Sequence, residues 1–375
     1  MNAADPPTSH PLIHAADADD AALASQRLSR AVESAELLRL RRGVYVDPAT
    51  WLRSAPWDRH LLATAATHLA DDGAVFRRET ALAVHGVHQL RSPEAVHVRT
   101  WRRQEAGTQR HPPMTGSAAP ARVDAVLRST PGPHRGVRRR DTGPADLQGV
   151  PAKKVFAFST MRRLAQRGRV PDPVRHAMPG IDEHTLDTLF PRVEPLGLVL
   201  ADTVSRMDST SAAVVVDSVR SGRCTGGHLW TREDMERWLA MIPSKRGMLR
   251  WEQAWDRSAA GAESVGESLL RLRAEQLGFE VPETQVEFAL PDGRVARVDA
   301  YWRSVGIVGE FDGWTKYTRN GVLQGRDVSE VVYGEKVRED GLRALGLGVA
   351  RFTWQDVQSL NRLSRKLSTA GVPRV

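Results

Sequence analysis

The chain has few of the features that mark a secreted or membrane-bound protein. Cys224 is its only cysteine, which excludes an internal disulfide framework and a zinc site made of several cysteines. No run of eighteen or more apolar residues occurs, so no transmembrane helix is predicted. The N-terminal residues lack the basic and apolar regions of a secretory signal. These absences predict a cytoplasmic protein without a membrane partner.

The chain does have a local excess of positive charge. Its 375 residues carry a net charge of +8 and predict two or three domains. Residues 101–170 contain 15 Lys or Arg against 4 Asp or Glu. Clustered positive charge is typical of a surface that binds nucleic-acid phosphates, so double-stranded DNA is the expected partner. Arg138, Arg139 and Arg140 are the candidate contacts in this stretch, and a solvated arginine-rich linker is the alternative.

The N-terminal hundred residues have the order of elements of a winged helix-turn-helix. Residues 1–14 are rich in polar residues and proline and are expected to be disordered. A short helical stretch then leads into a second helix, in which Arg27 and Arg30 lie away from the apolar residues. Alternating apolar residues around Gly43 predict a tight β-hairpin over residues 37–46.

A family resemblance accompanies this order of elements. Residues 38–46, followed by 81–87 and 96–98, resemble the N-terminal domain of AbiEi-type antitoxins and related actinobacterial regulators. The resemblance covers about residues 15–100 and implies a DNA-binding winged-helix domain. It places Arg27 and Arg30 on the recognition helix, and it places three further arginines on the wing: Arg39, Arg41 and Arg42. A winged helix used only for protein–protein contact is the alternative.

Residues 101–250 are predicted to form a basic linker and a mainly helical middle region. Apolar residues at helical spacing between 198 and 219 predict helices, and Thr231 is a candidate N-cap for another. Three histidines precede this region: His85, His88 and His97. No cysteine or carboxylate completes a metal-binding set with them, so we expect structural histidines.

A predicted helix with a carboxylate on its apolar face begins the last third of the chain. Residues 264–277 predict a helix that ends at Gly278. Glu267 falls on its apolar stripe, where a carboxylate is costly unless it is paired, hydrogen-bonded or bound to metal. Glu267 is therefore a candidate site residue, and a structural glutamate at the end of a helix is the alternative.

Three β-prone runs follow this helix, at residues 284–290, 295–302 and 305–311. Turn residues between the first two predict a hairpin. Asp299 lies in the second run, and Glu310 and Asp312 lie at the end of the third.

These three carboxylates predict a metal site. Strand alternation places Glu310 and Asp312 on one face, and Asp299 joins them if the second and third runs pair. Three converging carboxylates repel one another without a cation, and oxygen ligands suit Mg²⁺. We therefore expect Mg²⁺, or Mn²⁺, held by Asp299, Glu310 and Asp312, where the ion would activate water and offset charge on a scissile phosphate.

The same region resembles a nuclease family. Residues 297–302 and 308–313, followed by a helix at 335–346 and a strand at 347–352, are similar to PD-(D/E)XK nucleases. The branch that includes very-short-patch repair endonucleases is the most similar. The resemblance covers about 110 residues in the order helix, three strands, helix, strand. It implies a restriction-endonuclease-like domain over residues 251–375 that hydrolyses phosphodiester bonds.

The resemblance also assigns catalytic roles. The carboxylates of its motif correspond to Asp299 and Glu310, and Glu267 and Asp312 join them as candidate catalytic residues. The family motif would place a lysine at residue 312, where this chain has Asp312, and loss of activity is one consequence to consider. The chain has six lysines, and Lys316 and Lys336 are the candidates that would supply the missing charge from a displaced position.

Together these patterns predict an α+β multidomain protein. It would have an N-terminal winged helix-turn-helix, a mainly helical middle region and a C-terminal α/β restriction-endonuclease-like domain. The predicted function is that of a DNA-binding, metal-dependent endonuclease. The alternative is a transcriptional regulator or type IV antitoxin-like protein with a partner toxin and an inactive nuclease fold. A nuclease kept silent by its N-terminal domain is a third hypothesis, and homodimerisation is left open.

Overall fold

The computed structural model describes most of the chain and contains both helices and sheets, as the α+β prediction requires. The described residues are 11–17, 21–129, 150–157, 171–180, 186, 188–242, 244–312 and 328–375. The chain divides into two compact units. The N-terminal unit comprises Met1–Ser205 and Met235–Lys245, and the C-terminal unit comprises Arg206–Asp234 and Arg246–Val375. No helix in the described part of the chain is long and apolar enough to cross a membrane.

The described α-helices are α1 (Ala21–Glu33), α2 (Pro48–Arg53), α3 (Pro56–Ala70), α4 (Arg78–Val84), α5 (Pro120–Ser129), α6 (Leu196–Val204), α7 (Ser209–Arg220), α8 (Arg232–Leu239), α9 (Lys245–Asp256), α10 (Val265–Gln276), α11 (Val328–Ala344), α12 (Trp354–Gln358) and α13 (Leu360–Ala370). The described strands are β1 (Leu12–His14), β2 (Leu38–Arg41), β3 (Val44–Val46), β4 (Val75–Phe76), β5 (Ala95–Thr100), β6 (Gly107–Gln109), β7 (Ala152–Ala157), β8 (Val174–Arg175), β9 (Arg192–Val193), β10 (Val286–Ala289), β11 (Val295–Val298), β12 (Ala300–Trp302), β13 (Ile307–Asp312) and β14 (Gly348–Thr353).

A small antiparallel sheet of order β1-β3-β2 contains the predicted hairpin. Gly43 sits at its turn with φ +75°, a conformation that glycine adopts without strain. Strand β1 pairs with β3, with Leu12 opposite Val46. The expectation of disorder over residues 1–14 is therefore wrong for residues 12–14, because Leu12 is buried against the hairpin.

One α-helix precedes this hairpin in the described residues. Helix α1 begins at Ala21, so the two predicted helical stretches join into one, with no helix breaker between Ala24 and Ser25. Before it, Ala15–Asp17 form a single 3-10 turn. Residues 18–20 lie outside the described residues, and the winged helix-turn-helix stays a prediction.

The second sheet has six strands in the order β6-β7-β5-β4-β9-β8. Strands β5 and β7 run parallel, as do β4 and β9, and the remaining pairs are antiparallel. Four of its strands, β6 to β9, lie within residues 101–250. These strands precede α6, and the helices predicted between residues 198 and 219 and after Thr231 are confirmed as α6, α7 and α8.

The C-terminal unit contains the predicted succession of helix, strands, helix and strand. Helix α10 has Ser264 as its N-cap and is followed by Gly278 with φ +71°. Strands β10 and β11 form the predicted hairpin. Strands β12, β13 and β14 form a separate sheet in that order, with β12 antiparallel and β14 parallel to β13.

Two features of this unit differ from the sequence-based expectation. The run predicted as one strand over residues 295–302 is divided at Asp299 into β11 and β12. The unit also includes α7, which the sequence assigned to the middle region. Leu272 of α10 packs against Ala213 and Val214 of α7. Such contacts explain why α7 belongs to this compact unit.

Candidate carboxylate site

Pairing of β12 with β13 determines where Asp299 lies. Ala300 is opposite Gly309 in this antiparallel pair, so Asp299 and Glu310 occupy the next positions along the two strands. The Oδ2 atom of Asp299 accepts a hydrogen bond of 2.7 Å from the backbone N–H of Phe311. The predicted strand pairing is thus confirmed, and it brings Asp299 to the end of β13.

Glu267 lies in the first turn of α10, close to Asp299. Its side chain is buried, and its Oε2 atom accepts hydrogen bonds from the backbone N–H of Glu263 (3.0 Å) and from Nε2 of Gln285 (2.9 Å). Burial raises the pKa of Glu267, and the charge of Asp299 raises it further. The charge of Asp299 therefore acts on Glu267.

Close backbone packing at this point depends on Gly266. A Cβ atom at residue 266 would lie 2.0 Å from Cε1 of Phe311, so only glycine lets α10 approach β13 this closely. Gln285 also has an uncommon backbone for a residue with a side chain, with φ +58°. Both features lie beside Glu267, and they show that its surroundings are tightly determined.

Glu310 and Asp312 alternate on β13, and each is paired with an arginine. Glu310 is 5% exposed, and its Oε1 atom lies 2.8 Å from Nη2 of Arg338 on α11. Asp312 is less buried, and its Oδ1 atom lies 3.2 Å from Nη1 of Arg351 on β14. The site thus contains two positive groups that the sequence analysis did not identify.

Arg351 belongs to a wider set of ion pairs with α11. Its Nε and Nη2 atoms donate to Oε2 of Glu339 at 3.1 and 2.9 Å, and its Nη1 atom lies 3.6 Å from Oε2 of Glu335. The hydrogen bond from Arg351 lowers the pKa of Glu339, and the pKa of Arg351 is raised in turn. Arg351 therefore links β14 to α11 and to Asp312.

The predicted lysines do not fill this role in the described residues. Lys316 lies outside them. Lys336 is exposed on α11 and makes no ion pair there with the four candidate carboxylates. A signal for Arg338 exists in the sequence, because it lies four residues before the fully buried Leu342. Helical spacing therefore places Arg338 on the inward face and Lys336, two residues earlier, on the opposite side of the helix.

The carboxylates do not form a compact metal-binding group as they stand. Within the described ranges, no group of three or more His, Cys, Asp or Glu side chains is arranged to hold a metal ion. The donor chemistry nevertheless fits Mg²⁺ or Mn²⁺, because all four candidates are carboxylates. The mutual repulsion of Glu267 and Asp299 is also what a bound cation would relieve. Binding through Glu310 would require Arg338 to share or release that carboxylate.

The candidate DNA contacts of the N-terminal unit are divided between surface and interior. Arg27 and Arg30 on α1 and Arg42 at the hairpin turn are exposed, and Arg39 is half-buried. Arg41 is 4% exposed.

Arg41 makes internal contacts from all of its nitrogen atoms. Nε donates to Oγ1 of Thr67 (2.9 Å), Nη1 to its neighbour's carbonyl, and Nη2 to the carbonyl of Pro151 (3.0 Å). Burial lowers its pKa to about 10. The assignment of Arg41 as a DNA contact is therefore corrected, since its guanidinium is enclosed by protein. Arg138, Arg139 and Arg140 lie outside the described residues.

His85 and His97 have internal partners. Nε2 of His85 lies 2.9 Å from the carbonyl oxygen of Glu194, and Nδ1 of His97 lies 2.8 Å from Oε2 of Glu79. Burial lowers the pKa of His85 to about 4, so this side chain is neutral near pH 7. Both contacts are those expected of structural histidines.

A buried cluster of charges in the N-terminal unit has no counterpart in the sequence analysis. Nη2 of Arg77 lies 2.9 Å from Oδ2 of Asp202, and its Nε atom lies 3.6 Å from Oε2 of Glu194. Arg78 and Arg99 add a second guanidinium to each carboxylate, at 3.0 and 3.8 Å. Glu194 is fully buried, and burial raises its pKa. These pairs connect residues next to β4 and β9 with β5 and α6.

Comparisons of the chain with family models, with curated proteins and with solved structures find no match.

Proposed function

We propose that the C-terminal unit hydrolyses phosphodiester bonds in DNA with Mg²⁺ or Mn²⁺ bound at the carboxylate site. One observation carries the proposal. Asp299 lies at the end of β13, where the Oδ2 atom of Asp299 accepts a hydrogen bond from the backbone N–H of Phe311. That contact brings Asp299 next to Glu310 in the strand register, and Glu267 lies close enough to respond to the charge of Asp299.

The four carboxylates have two roles in this proposal. Asp299, Glu310 and Asp312 would hold the metal ion, and Glu267 would orient a water molecule or the ion. The bound cation would lower the pKa of a water molecule and offset negative charge on the scissile phosphate. The residues themselves provide a buried, hydrogen-bonded frame, in which Glu263 and Gln285 fix the carboxylate of Glu267.

The order of elements in the C-terminal unit supports a PD-(D/E)XK-like assignment. Helix α10 supplies Glu267, the break before β12 supplies Asp299, and β13 supplies the last two carboxylates. Helix α11 and parallel strand β14 then follow.

The N-terminal unit would recruit DNA. Arg27 and Arg30 are exposed on one helix, and Arg42 is exposed at the hairpin turn. Exposed arginines suit contacts with the phosphate backbone, which would hold the duplex without reading its sequence. The region around these arginines would form a winged helix.

A second candidate function has its own support. Asp312 stands where the nuclease motif has lysine, and Arg338 and Arg351 pair with Glu310 and Asp312. A non-cleaving, DNA-binding regulator or antitoxin-like protein would retain such ion pairs as structural contacts. It would bind a particular duplex in a salt-sensitive way and would show no metal-dependent cleavage.

Cleavage of supercoiled plasmid in the presence of Mg²⁺ or Mn²⁺ tests the first function. We expect Asp299→Asn and Glu310→Gln to lower the rate more than about 100-fold, since changes to groups behind metal ligands already cost roughly 10- to 100-fold. Asp292→Asn is the matched control, because Asp292 pairs with Arg294 in the exposed hairpin turn. Its rate should equal that of the wild type.

Three other results would decide against this assignment. Cleavage that persists in both site variants would remove Asp299 and Glu310 from the mechanism. A wild-type protein that binds neither ion, as judged by an unchanged Tm, would contradict the metal site. Tight binding of one duplex without cleavage would favour the regulator.

A further inference from the structure

We propose that Arg338 is the phosphate-binding cation of the carboxylate site, and that Glu310 holds it in place until a metal ion takes over that carboxylate. The proposal rests on the proposed function and deepens it. It assigns to Arg338 the positive charge that the sequence analysis sought in Lys316 or Lys336.

The contacts of Arg338 leave part of its guanidinium available. One atom, Nη2, donates to the carbonyl of Arg297 at 2.6 Å and to Oε1 of Glu310 at 2.8 Å. Among the described residues, Nε and Nη1 have no hydrogen-bond partner. The side chain is 30% exposed. A guanidinium has five N–H donors in a planar arrangement, and each of its two forked donor pairs includes Nη2. While Nη2 is engaged, Nε and Nη1 can each donate singly to a phosphate. Release of Glu310 would free one Nη2 hydrogen, so that Nη2 and one of these nitrogens could bind the phosphate in a bidentate manner.

Arg351 is the informative contrast, because its guanidinium is fully engaged. Its Nε and Nη2 atoms bind Glu339, and its Nη1 atom binds Asp312. A phosphate could reach Arg351 only by replacing these contacts. The two arginines therefore have different roles, with Arg351 fixing β14 against α11 and Arg338 available to a ligand.

The burial of Glu310 explains why Arg338 is held near the site. A carboxylate that is only 5% exposed needs a positive partner or a metal ion to stay ionised. Arg338 is such a partner in this structure, at 2.8 Å. A divalent cation bound by Glu310 would compensate the same charge, weaken the attraction of Arg338 and leave its guanidinium for phosphate.

Metal ion and Arg338 therefore compete for one carboxylate, and this competition can be measured without any cleavage. Removing the positive charge of Arg338 should raise the affinity for Mn²⁺. A unit positive charge a few ångströms away weakens the binding of a cation by roughly 5-fold or more. The same change should weaken phosphate binding. A residue that only stabilised the fold would not change the two affinities in opposite directions.

The test uses the full chain with Arg338→Gln, Arg338→Lys and the control Arg294→Gln. Calorimetry measures the Kd for Mn²⁺, and ³¹P relaxation measures inorganic phosphate bound near Mn²⁺ in the loaded protein. We expect Arg338→Gln to bind Mn²⁺ roughly 5-fold or more tightly and to lose the phosphate signal. Arg338→Lys should stay close to the wild type for Mn²⁺ and bind phosphate less well, because lysine lacks the fork. Arg294→Gln should match the wild type.

Unchanged Kd and unchanged phosphate relaxation in Arg338→Gln would overturn the proposal. A loss of affinity for both Mn²⁺ and phosphate would also overturn the proposal, because it indicates a damaged fold. The Tm of the variant checks for such damage. Failure of the nuclease proposal is distinguishable from this. A wild type that binds Mn²⁺ and phosphate but cleaves no plasmid would contradict the nuclease, while the two affinities would still decide the role of Arg338.

Discussion

Asp299 and Phe311 are joined by a hydrogen bond in which the backbone N–H of Phe311 donates to Oδ2 of Asp299 at 2.7 Å. Phe311 lies between Glu310 and Asp312, and its ring packs against Gly266, the residue before Glu267. The bond therefore connects the break between β11 and β12 with β13, which carries Glu310 and Asp312. Through the ring of Phe311 it is also linked to α10, which carries Glu267. It fixes the backbone of the site in this structure.

This contact predicts different stabilities for two variants of Asp299. Asp299→Ala leaves the N–H of Phe311 without this acceptor, and an unsatisfied buried donor costs about 1–3 kcal/mol. Asp299→Asn keeps a carbonyl oxygen that can accept the bond, so its cost should be clearly smaller. Urea denaturation of the metal-free proteins measures both free energies of unfolding. Equal losses in the two variants would show that the hydrogen bond does not fix this part of the site.

The raised pKa of Glu267 predicts a pH dependence. Its causes are burial, first, and the charge of Asp299, second. The folded protein binds this proton more tightly than the unfolded chain does. Stability is therefore lost as pH rises from the ordinary glutamate pKa through the raised folded value. Below that window Glu267 is protonated in both states and contributes no such loss.

Glu267→Gln should remove this loss, because the amide cannot ionise and still offers an oxygen to Glu263 and Gln285. We expect the metal-free variant to be more stable than the wild type near neutral pH and not more stable below the ordinary glutamate pKa. Tm measured across this range in the presence of a chelator tests the prediction. Glu275→Gln, on the exposed part of the same helix, is the control. A constant difference between the curves of Glu267→Gln and the wild type would contradict the assigned titration.

The elements of the C-terminal unit could be predicted because local signals mark their ends. Ser264 caps α10, and glycines with positive φ follow α10 and α11 and form the β10–β11 turn. The break at Asp299 had no such signal, because residues on both sides have β-forming side chains. It depends on the contact with Phe311, twelve residues away.

The site was predictable in its carboxylates and not in its cations. A carboxylate on an apolar helical stripe or beside a buried strand is visible as an exception to the hydrophobic pattern. The partners of Glu310 and Asp312 depend on the parallel register that places Arg351 opposite Glu310. They also depend on the face of α11 that packs inward. Helical spacing to Leu342 marks the inward face of α11, but the register and the pairing of Arg338 with Glu310 do not follow from residue types alone.

The six-stranded sheet of the N-terminal unit was not predictable for a different reason. Strands β4, β8 and β9 have two residues each, which is too short to display alternation. Their partners are also distant in sequence, with Val75 opposite Arg192. The buried charges beside these strands follow from the same long-range pairing, so their burial could not be anticipated.

This buried cluster predicts an unequal response to two substitutions. It combines three arginines with two carboxylates, and Arg77 is the guanidinium near both carboxylates. Arg77→Met leaves Asp202 paired with Arg78 and Glu194 paired with Arg99. Asp202→Leu instead removes the carboxylate that both Arg77 and Arg78 contact. Breaking a buried ion pair by removing one partner costs about 3–5 kcal/mol, and we expect that loss for Asp202→Leu and a smaller one for Arg77→Met.

Urea denaturation of both variants, beside Arg102→Met, measures this difference. Arg102 pairs with Glu105 on the surface at 3.3 Å. Exposed ion pairs contribute about 0–1 kcal/mol to stability. Arg102→Met therefore shows the effect of replacing an arginine that is not buried. A larger loss for Arg77→Met than for Asp202→Leu would mean that Arg77 holds the cluster together through packing. In that case the excess of positive charge would not determine its stability.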